Sequence, residues 1–183
     1  MPAWRRFCFM NQHNIFLVGL MAVGKSTVGN LLADTLSMPF YDSDQEIEKR
    51  AGAEISWIFD VEGEAGFRER EEQVIDDLTQ MSGVVVATGG GVVKSPINRQ
   101  NLASRGVVIH LDCTLHRLVA RTQHDKKRPL LQGGNTKQIL DKLMGERGPL
   151  YAEIADYRFV TDKQSANTLV QTISKKLRED GIS

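Results

Sequence analysis

The chain has 183 residues, a length that suits one compact domain with a substantial core, and Lys plus Arg equal Asp plus Glu at 23 each. That balance leaves no global field to recruit nucleic acid or an anionic membrane surface, so the expected partner is a small molecule; a monomer is the expected state. The 2 cysteines, Cys8 and Cys113, are too few for a disulfide framework or a zinc site and suit a reducing cytoplasm; no apolar run approaches the roughly twenty residues of a membrane span.

In chain order, Met1–His13 carries Arg5 and Arg6 but turns polar at Asn11-Gln12-His13 before any signal-peptide core develops, and reads as an N-terminal extension (1–13) to a single domain over 14–183. Ile15–Val18 is an apolar run of the kind that forms a buried parallel strand. Gly19-Leu20-Met21-Ala22-Val23-Gly24-Lys25-Ser26-Thr27 follows and fills the phosphate-binding template G-x-x-x-x-G-K-[ST]. Val28, Leu31, Leu32 and Leu36 then recur at helical spacing. Strand, loop and helix together predict backbone N–H groups that surround nucleotide phosphates at the positive end of a helix dipole. Lys25 would reach the terminal phosphates and the Ser26 hydroxyl would sit on Mg²⁺, which makes ATP with Mg²⁺ the expected cofactor pair.

A second strand, Pro39–Tyr41, ends at Asp42-Ser43-Asp44. Ligands of open α/β sheets sit at the carboxyl ends of strands, so both carboxylates would point into the site. Asp42 could hold the magnesium shell directly or through water, and Asp44 could accept the proton of an attacking hydroxyl. The same residues also read as a capping box, with Ser43 as N-cap and Glu46 three residues on. The two readings are compatible.

Further along, Asp60-Val61-Glu62-Gly63 imitates the D-x-x-G of GTPases, but Ile55, Ile58 and Phe59 are spaced as on a helix. Val74, Leu78 and Met81 mark one helical face, and Val84–Thr88 a buried strand that runs into Gly89-Gly90-Gly91. Three glycines there predict bare backbone against which a substrate can lie. Ser95-Pro96 reads as an N-cap with proline at the first helical position, and Gly106 as that helix's stop. Val107–Leu111 is a fourth strand, and Asp112 after it is a rival for the magnesium-binding aspartate. The basic, glycine-flanked stretch from about His124 to Asn135 suggests a lid. Arg158–Val160 is the last strand, and Leu169, Val170, Ile173 and Leu177 line the last helix. The alternation predicts βαβ units around a parallel sheet.

Gly19–Thr27, Phe40–Asp44, Phe67-Arg68, Thr88–Gly91, Arg128-Pro129-Leu130-Leu131 and Arg147-Gly148-Pro149-Leu150-Tyr151 stand in that order, and together they resemble the shikimate kinase family over nearly the whole chain. The resemblance implies a three-layer P-loop kinase fold, with a five-stranded parallel sheet flanked by helices and a mobile lid at about 124–135. It further implies transfer of the ATP γ-phosphoryl to the 3-hydroxyl of shikimate, a step toward chorismate and the aromatic amino acids. Position by position, it implies that Asp44 binds the ring hydroxyls and orients or deprotonates the attacking one. Arg68 and Arg147 would grip the carboxylate, with Gly89, Gly90 and Gly91 against the substrate and Phe59 and Phe67 lining the ring pocket. Arg128 would close on the transferring phosphates, and Arg121 would stack near the adenine. Read alone, Arg68 is a helix-surface residue between Glu64 and Glu72.

The chain departs from the family at Leu20 and Ala22, where proline or serine and a glycine are common. If position 22 demands φ > 0, alanine there costs on the order of 1 kcal/mol. Gluconate kinase and a catalytically silent nucleotide-binding module are the rival readings. The first has no use for paired arginines, and the second none for Lys25, Ser26, Asp44 and Arg128 together.

Overall fold

The structure is a computed structural model that describes residues 13–122, 135–162 and 164–182. The expected lid except Asn135, with Arg128, and all of the N-terminal extension except His13, lie outside the described residues; Asn135 is the N-cap of the helix that follows.

Five strands form one parallel sheet in the order β2-β3-β1-β4-β5: β1 (Ile15–Val18), β2 (Phe40–Asp42), β3 (Val85–Ala87), β4 (Val107–Asp112) and β5 (Tyr157–Val160). β1 lies at the centre, and its four residues have no measurable exposure. This matches the unbroken apolar run that a strand covered on both faces requires. Full burial of such side chains contributes about 1.5–3 kcal/mol each.

Helices α1 (Lys25–Leu36) and α7 (Ala166–Glu179) pack side by side on the sheet. A second group joins α3 (Ile55–Gln80), α4 (Pro96–Arg105) and α6 (Thr136–Ile154), with α2 (Ser43–Ala51) against α3 and α5 (Leu115–Thr122) against α6. The apolar faces read from the sequence are the buried ones: Leu169, Val170, Ile173 and Leu177 enter the core from α7, and Val74 and Leu78 from α3. Met81 does not follow them; it follows the last turn of α3 and is 36% exposed. Asp60-Val61-Glu62-Gly63 lies within α3, as its helical spacing requires, and Gly63 breaks that helix with φ 72° and ψ −177°. Ser95 caps α4 by accepting from the Asn98 N–H, with Pro96 at its first position. Membrane-crossing length is absent: no helix among the described residues is long and apolar enough to span a bilayer.

At the foot of the sheet, opposite the strand ends that carry the phosphate loop, a single side chain ties several elements. Asn14 Nδ2 donates to the carbonyls of Thr79, Met81 and Arg105 at 3.3, 2.6 and 3.2 Å, while its Oδ1 accepts from the Val84 N–H at 3.2 Å. The end of α3, the start of β3 and the end of α4 are thereby fixed to the residue that precedes β1.

Candidate active site

The loop from Gly19 to Gly24 joins β1 to α1 through three residues with positive φ: Gly19 (146°), Ala22 (62°) and Gly24 (99°). Gly19 must be glycine on steric grounds as well, because a Cβ there would collide with the Leu111 carbonyl oxygen. Position 22 therefore does require the left-handed region, and Ala22 holds it with a side chain that L-residues accommodate at a cost. Arg121 supports the strained segment from behind. Its Nη1 donates to the carbonyls of Ala22 and Val23 at 3.2 and 3.3 Å and to Thr161 Oγ1 at 3.1 Å, and its Nη2 to the Thr161 carbonyl at 3.1 Å. The guanidinium edge is thus committed to the loop; the adenine stacking expected of Arg121 would use its face.

Lys25 is buried, and its Nζ donates to the carbonyls of Gly19 and Leu20 at 2.8 Å each. The ammonium thus lies across its own loop. The next residue, Ser26, donates from Oγ to Asp42 Oδ2 at 2.5 Å. Asp42, not Ser43, is the N-cap of α2: its Oδ1 accepts from the N–H groups of Asp44 and Gln45 at 3.0 and 3.3 Å. The capping-box reading of Ser43 fails because β2 runs one residue further than its apolar residues suggest, placing Asp42 at the helix entrance. Ser43 is buried and serves elsewhere, accepting from the Gly89 N–H at 3.0 Å. A hydroxyl and a carboxylate in contact suit a magnesium ion, which takes few protein oxygens and keeps several waters. The rival Asp112 is engaged by Arg158, whose Nε lies 3.0 Å from its Oδ2.

The glycine triplet after β3 gathers the remaining functional side chains, and it does so by lacking Cβ atoms. A Cβ on Gly89 would lie 2.6 Å from Asp44 Oδ1 and 3.0 Å from Glu71 Oε1. One on Gly91 would lie 2.5 Å from Arg68 Nη1 and 2.7 Å from its Cζ. Between them the Gly90 carbonyl accepts from Arg147 Nη1 at 3.0 Å and from the Tyr151 hydroxyl. The expectation of bare backbone for a substrate is corrected at Gly89, whose N–H is taken by Ser43. The spaces at Gly89 and Gly91 admit Asp44 and Arg68 instead.

Arg68 is held by Glu71, at 2.6 Å from Nη1, and more loosely by Glu64, at 3.3 Å from Nη2. Glu72, the partner suggested by helical spacing, is not the one; Glu71, at i+3 and fully buried, is. Nothing in the sequence marked Glu71 apart from that spacing. Its carboxyl is pushed up by burial, against the lowering effect of Arg68 and Arg147. Asp44 is pushed up to about 6, first by burial and then by the nearby carboxylates of Asp42 and Glu71, with Lys25 opposing. Asp44 Oδ1, Glu71 Oε1 and Arg147 Nε are all buried without a hydrogen-bond partner among the described residues. Three orphaned polar atoms around one turn mark a site built for a polar ligand. The Phe67 ring lies under the Arg68 guanidinium, 5.1 Å from Cζ, and packs on Phe59 with centroids 4.7 Å apart. These aromatics form an apolar wall beside the charged turn.

Known proteins resemble this chain over most of its length. Residues 21–178 match the family profile described as Shikimate kinase. Among curated relatives, a Shikimate kinase of Vibrio campbellii is 57% identical over 168 residues, covering 92% of this chain and 98% of its own. A Shikimate kinase 1 of an Enterobacter species is 55% identical over 170 residues, with the same coverage. Among solved structures, a shikimate kinase from Acinetobacter baumannii in complex with shikimate superposes with a TM-score of 0.91 at 44% identity, covering 96% of this chain and 98% of that one. A shikimate kinase from Aquifex aeolicus does so with 0.81 at 36% identity, covering 92% and 98%.

Proposed function

The chain belongs to the shikimate kinase family, and from that premise we propose which of its residues transfer the γ-phosphoryl group of ATP to the 3-hydroxyl of shikimate. The products are shikimate 3-phosphate and ADP. The observation that carries the assignment is the glycine triplet: Asp44 approaches at Gly89, Arg147 braces on Gly90 and Arg68 lies over Gly91, all beside the phosphate loop.

The residues divide the work by charge. A cyclic acid with ring hydroxyls presents its carboxylate to Arg68 and Arg147, whose planar forks match it bidentately and exclude neutral alcohols. Glu64, only loosely bound to Arg68, is the group the carboxylate displaces, whereas Glu71 stays and keeps the guanidinium oriented. Phe59 and Phe67 line the ring. Asp44 then faces the attacking hydroxyl. The oxygen of that hydroxyl forms the new bond to phosphorus as the β–γ bridging oxygen leaves with ADP, and its proton passes to the Asp44 carboxylate. A carboxyl held near 6 is still ionised at neutral pH and is a stronger base than an ordinary aspartate.

The backbone N–H groups from Gly19 to Thr27 cradle the phosphates, and Lys25 leaves the carbonyls of Gly19 and Leu20 to contact the β- and γ-phosphates. Ser26 and Asp42 would hold Mg²⁺, which when bound offsets charge on the phosphate oxygens. Arg128, outside the described residues, completes the reading as the cation that closes on the transferring group. We take residues 14–183 as one kinase domain, a reading supported by the single shared core, and take it to act as a cytoplasmic monomer.

The test is ADP release measured with shikimate, with gluconate and with no acceptor. Release that requires shikimate is expected. Activity confined to gluconate, or a rate indifferent to acceptor, would refute the assignment.

A further inference from the structure

Arg147 and Tyr151 stand one turn apart on α6, so their side chains share a face, and both donate to the same acceptor, the Gly90 carbonyl. Arg147 alone satisfies that carbonyl, so the second donor is not needed to avoid an unpaired buried group. Tyr151 is 1% exposed, and its ring stacks on His110 of β4, with centroids 5.0 Å apart and planes 29° from parallel. The ring is therefore fixed from below by the sheet, and its hydroxyl meets the same Gly90 carbonyl oxygen as Arg147 Nη1, beside the Arg147 side chain.

The consequence falls on the opposite edge of Arg147. A guanidinium is planar and rigid, so anchoring Nη1 determines where the Nε and Nη2 hydrogens point. Arg147 is 5% exposed, and its Nε is buried with no hydrogen-bond partner among the described residues. The Nε prong of that edge is a vacant buried donor, aimed by whatever holds Nη1.

We propose that Tyr151 is a positioning residue for the acid-binding end of the site: by locking the Gly90 carbonyl it aims the Nε edge of Arg147 at the carboxylate of the acceptor. This inference rests on the functional reading above and deepens it, since it assigns acid selectivity to a residue that does not touch the acid.

Calorimetric titration of wild type, Tyr151→Phe, Arg147→Lys and the double variant with shikimate, shikimate methyl ester and ADP separates the possibilities. Tyr151→Phe keeps the stacked ring and removes only the donor. Its expected effect is a shikimate affinity about five- to twentyfold weaker, the scale of one lost hydrogen bond in a charged network, with ester and ADP affinities unchanged within about twofold. Added to Arg147→Lys, it should cost nothing further. Equal weakening toward acid and ester, no weakening toward the acid, or parallel loss of ADP affinity would each overturn the proposal. Wild type that fails to bind shikimate would overturn the functional reading and this inference together, a result separable from any property of the variant.

Discussion

Ser26 and Asp42 meet between the phosphate loop and the end of β2, Oγ to Oδ2 at 2.5 Å, while the other oxygen of the same carboxylate caps α2. One side chain thus caps the helix and, in the proposed metal site, would face the cation. Asp42→Asn separates the two roles, because asparagine caps as well as aspartate but brings no charge to a cation. Turnover should fall about tenfold or more, with a higher Mg²⁺ requirement, and the melting temperature should stay within about 3 °C. Rate measured against Mg²⁺ concentration, alongside thermal unfolding, checks this; an unchanged Mg²⁺ profile would remove Asp42 from the metal site.

Asp44 links activity to stability with opposite signs. Its carboxyl is raised from 3.8 to about 6 in the folded protein. Protonation therefore stabilises the fold below the unfolded value, and that contribution is lost as pH rises through about 6. As the proposed base, Asp44 is ionised only above the same point. For wild type, kcat/KM for shikimate should fall as pH drops through about 6, not through 4, where an ordinary aspartate titrates.

Asp44→Asn should cut turnover by roughly a hundredfold or more. At pH 7.5 it should also raise stability by about 1–3 kcal/mol, because the buried charge is gone. Single-turnover rates and calorimetric melting measure both. A variant less stable than wild type would show that the carboxylate is comfortable where it lies.

Gly91→Ala tests the steric account of the glycine triplet. Gly91 has φ −97°, which alanine adopts readily, so the only penalty is the clash with Arg68. Displacing that guanidinium should raise KM for shikimate about tenfold, as Arg68→Lys should, while KM for ATP holds. A rise in KM for ATP would place Arg68 on the nucleotide instead.

Ala22→Gly should relieve a conformational cost. Alanine at φ 62° is strained by about 1 kcal/mol, part of which glycine returns as unfolded-state entropy. The expected outcome is a melting temperature up to about 3 °C higher with turnover within about twofold of wild type. A lower melting temperature would mean that the Arg121 contacts already absorb the strain.

The parts legible in the sequence are those whose signal is local. The phosphate loop is contained in nine consecutive residues, Gly19–Thr27, and β1 and β4 announce themselves as apolar runs. The need for φ > 0 at position 22 was visible only as a condition, because glycine's presence in relatives does not show which φ it adopts. Glu71 carries no signal of its own, because on a helix dense in glutamates only the packing against Gly89 shows which one is buried beside Arg68, and Tyr151 carries none because it reaches Gly90 from a helix 61 residues away. The misassigned cap has a similar origin. Whether Asp42 or Ser43 starts α2 depends on where β2 stops pairing with β3, and the pair Asp42 with Ala87 is a property of the sheet.

The Asn14 staple gives this fold a separation of concerns. Its bonds join α3, β3 and α4 at the end of the sheet opposite the one where Asp44, Arg68, Arg147 and the phosphate loop meet. Changes near Asn14 can therefore tune how firmly the protein holds together without retuning its chemistry.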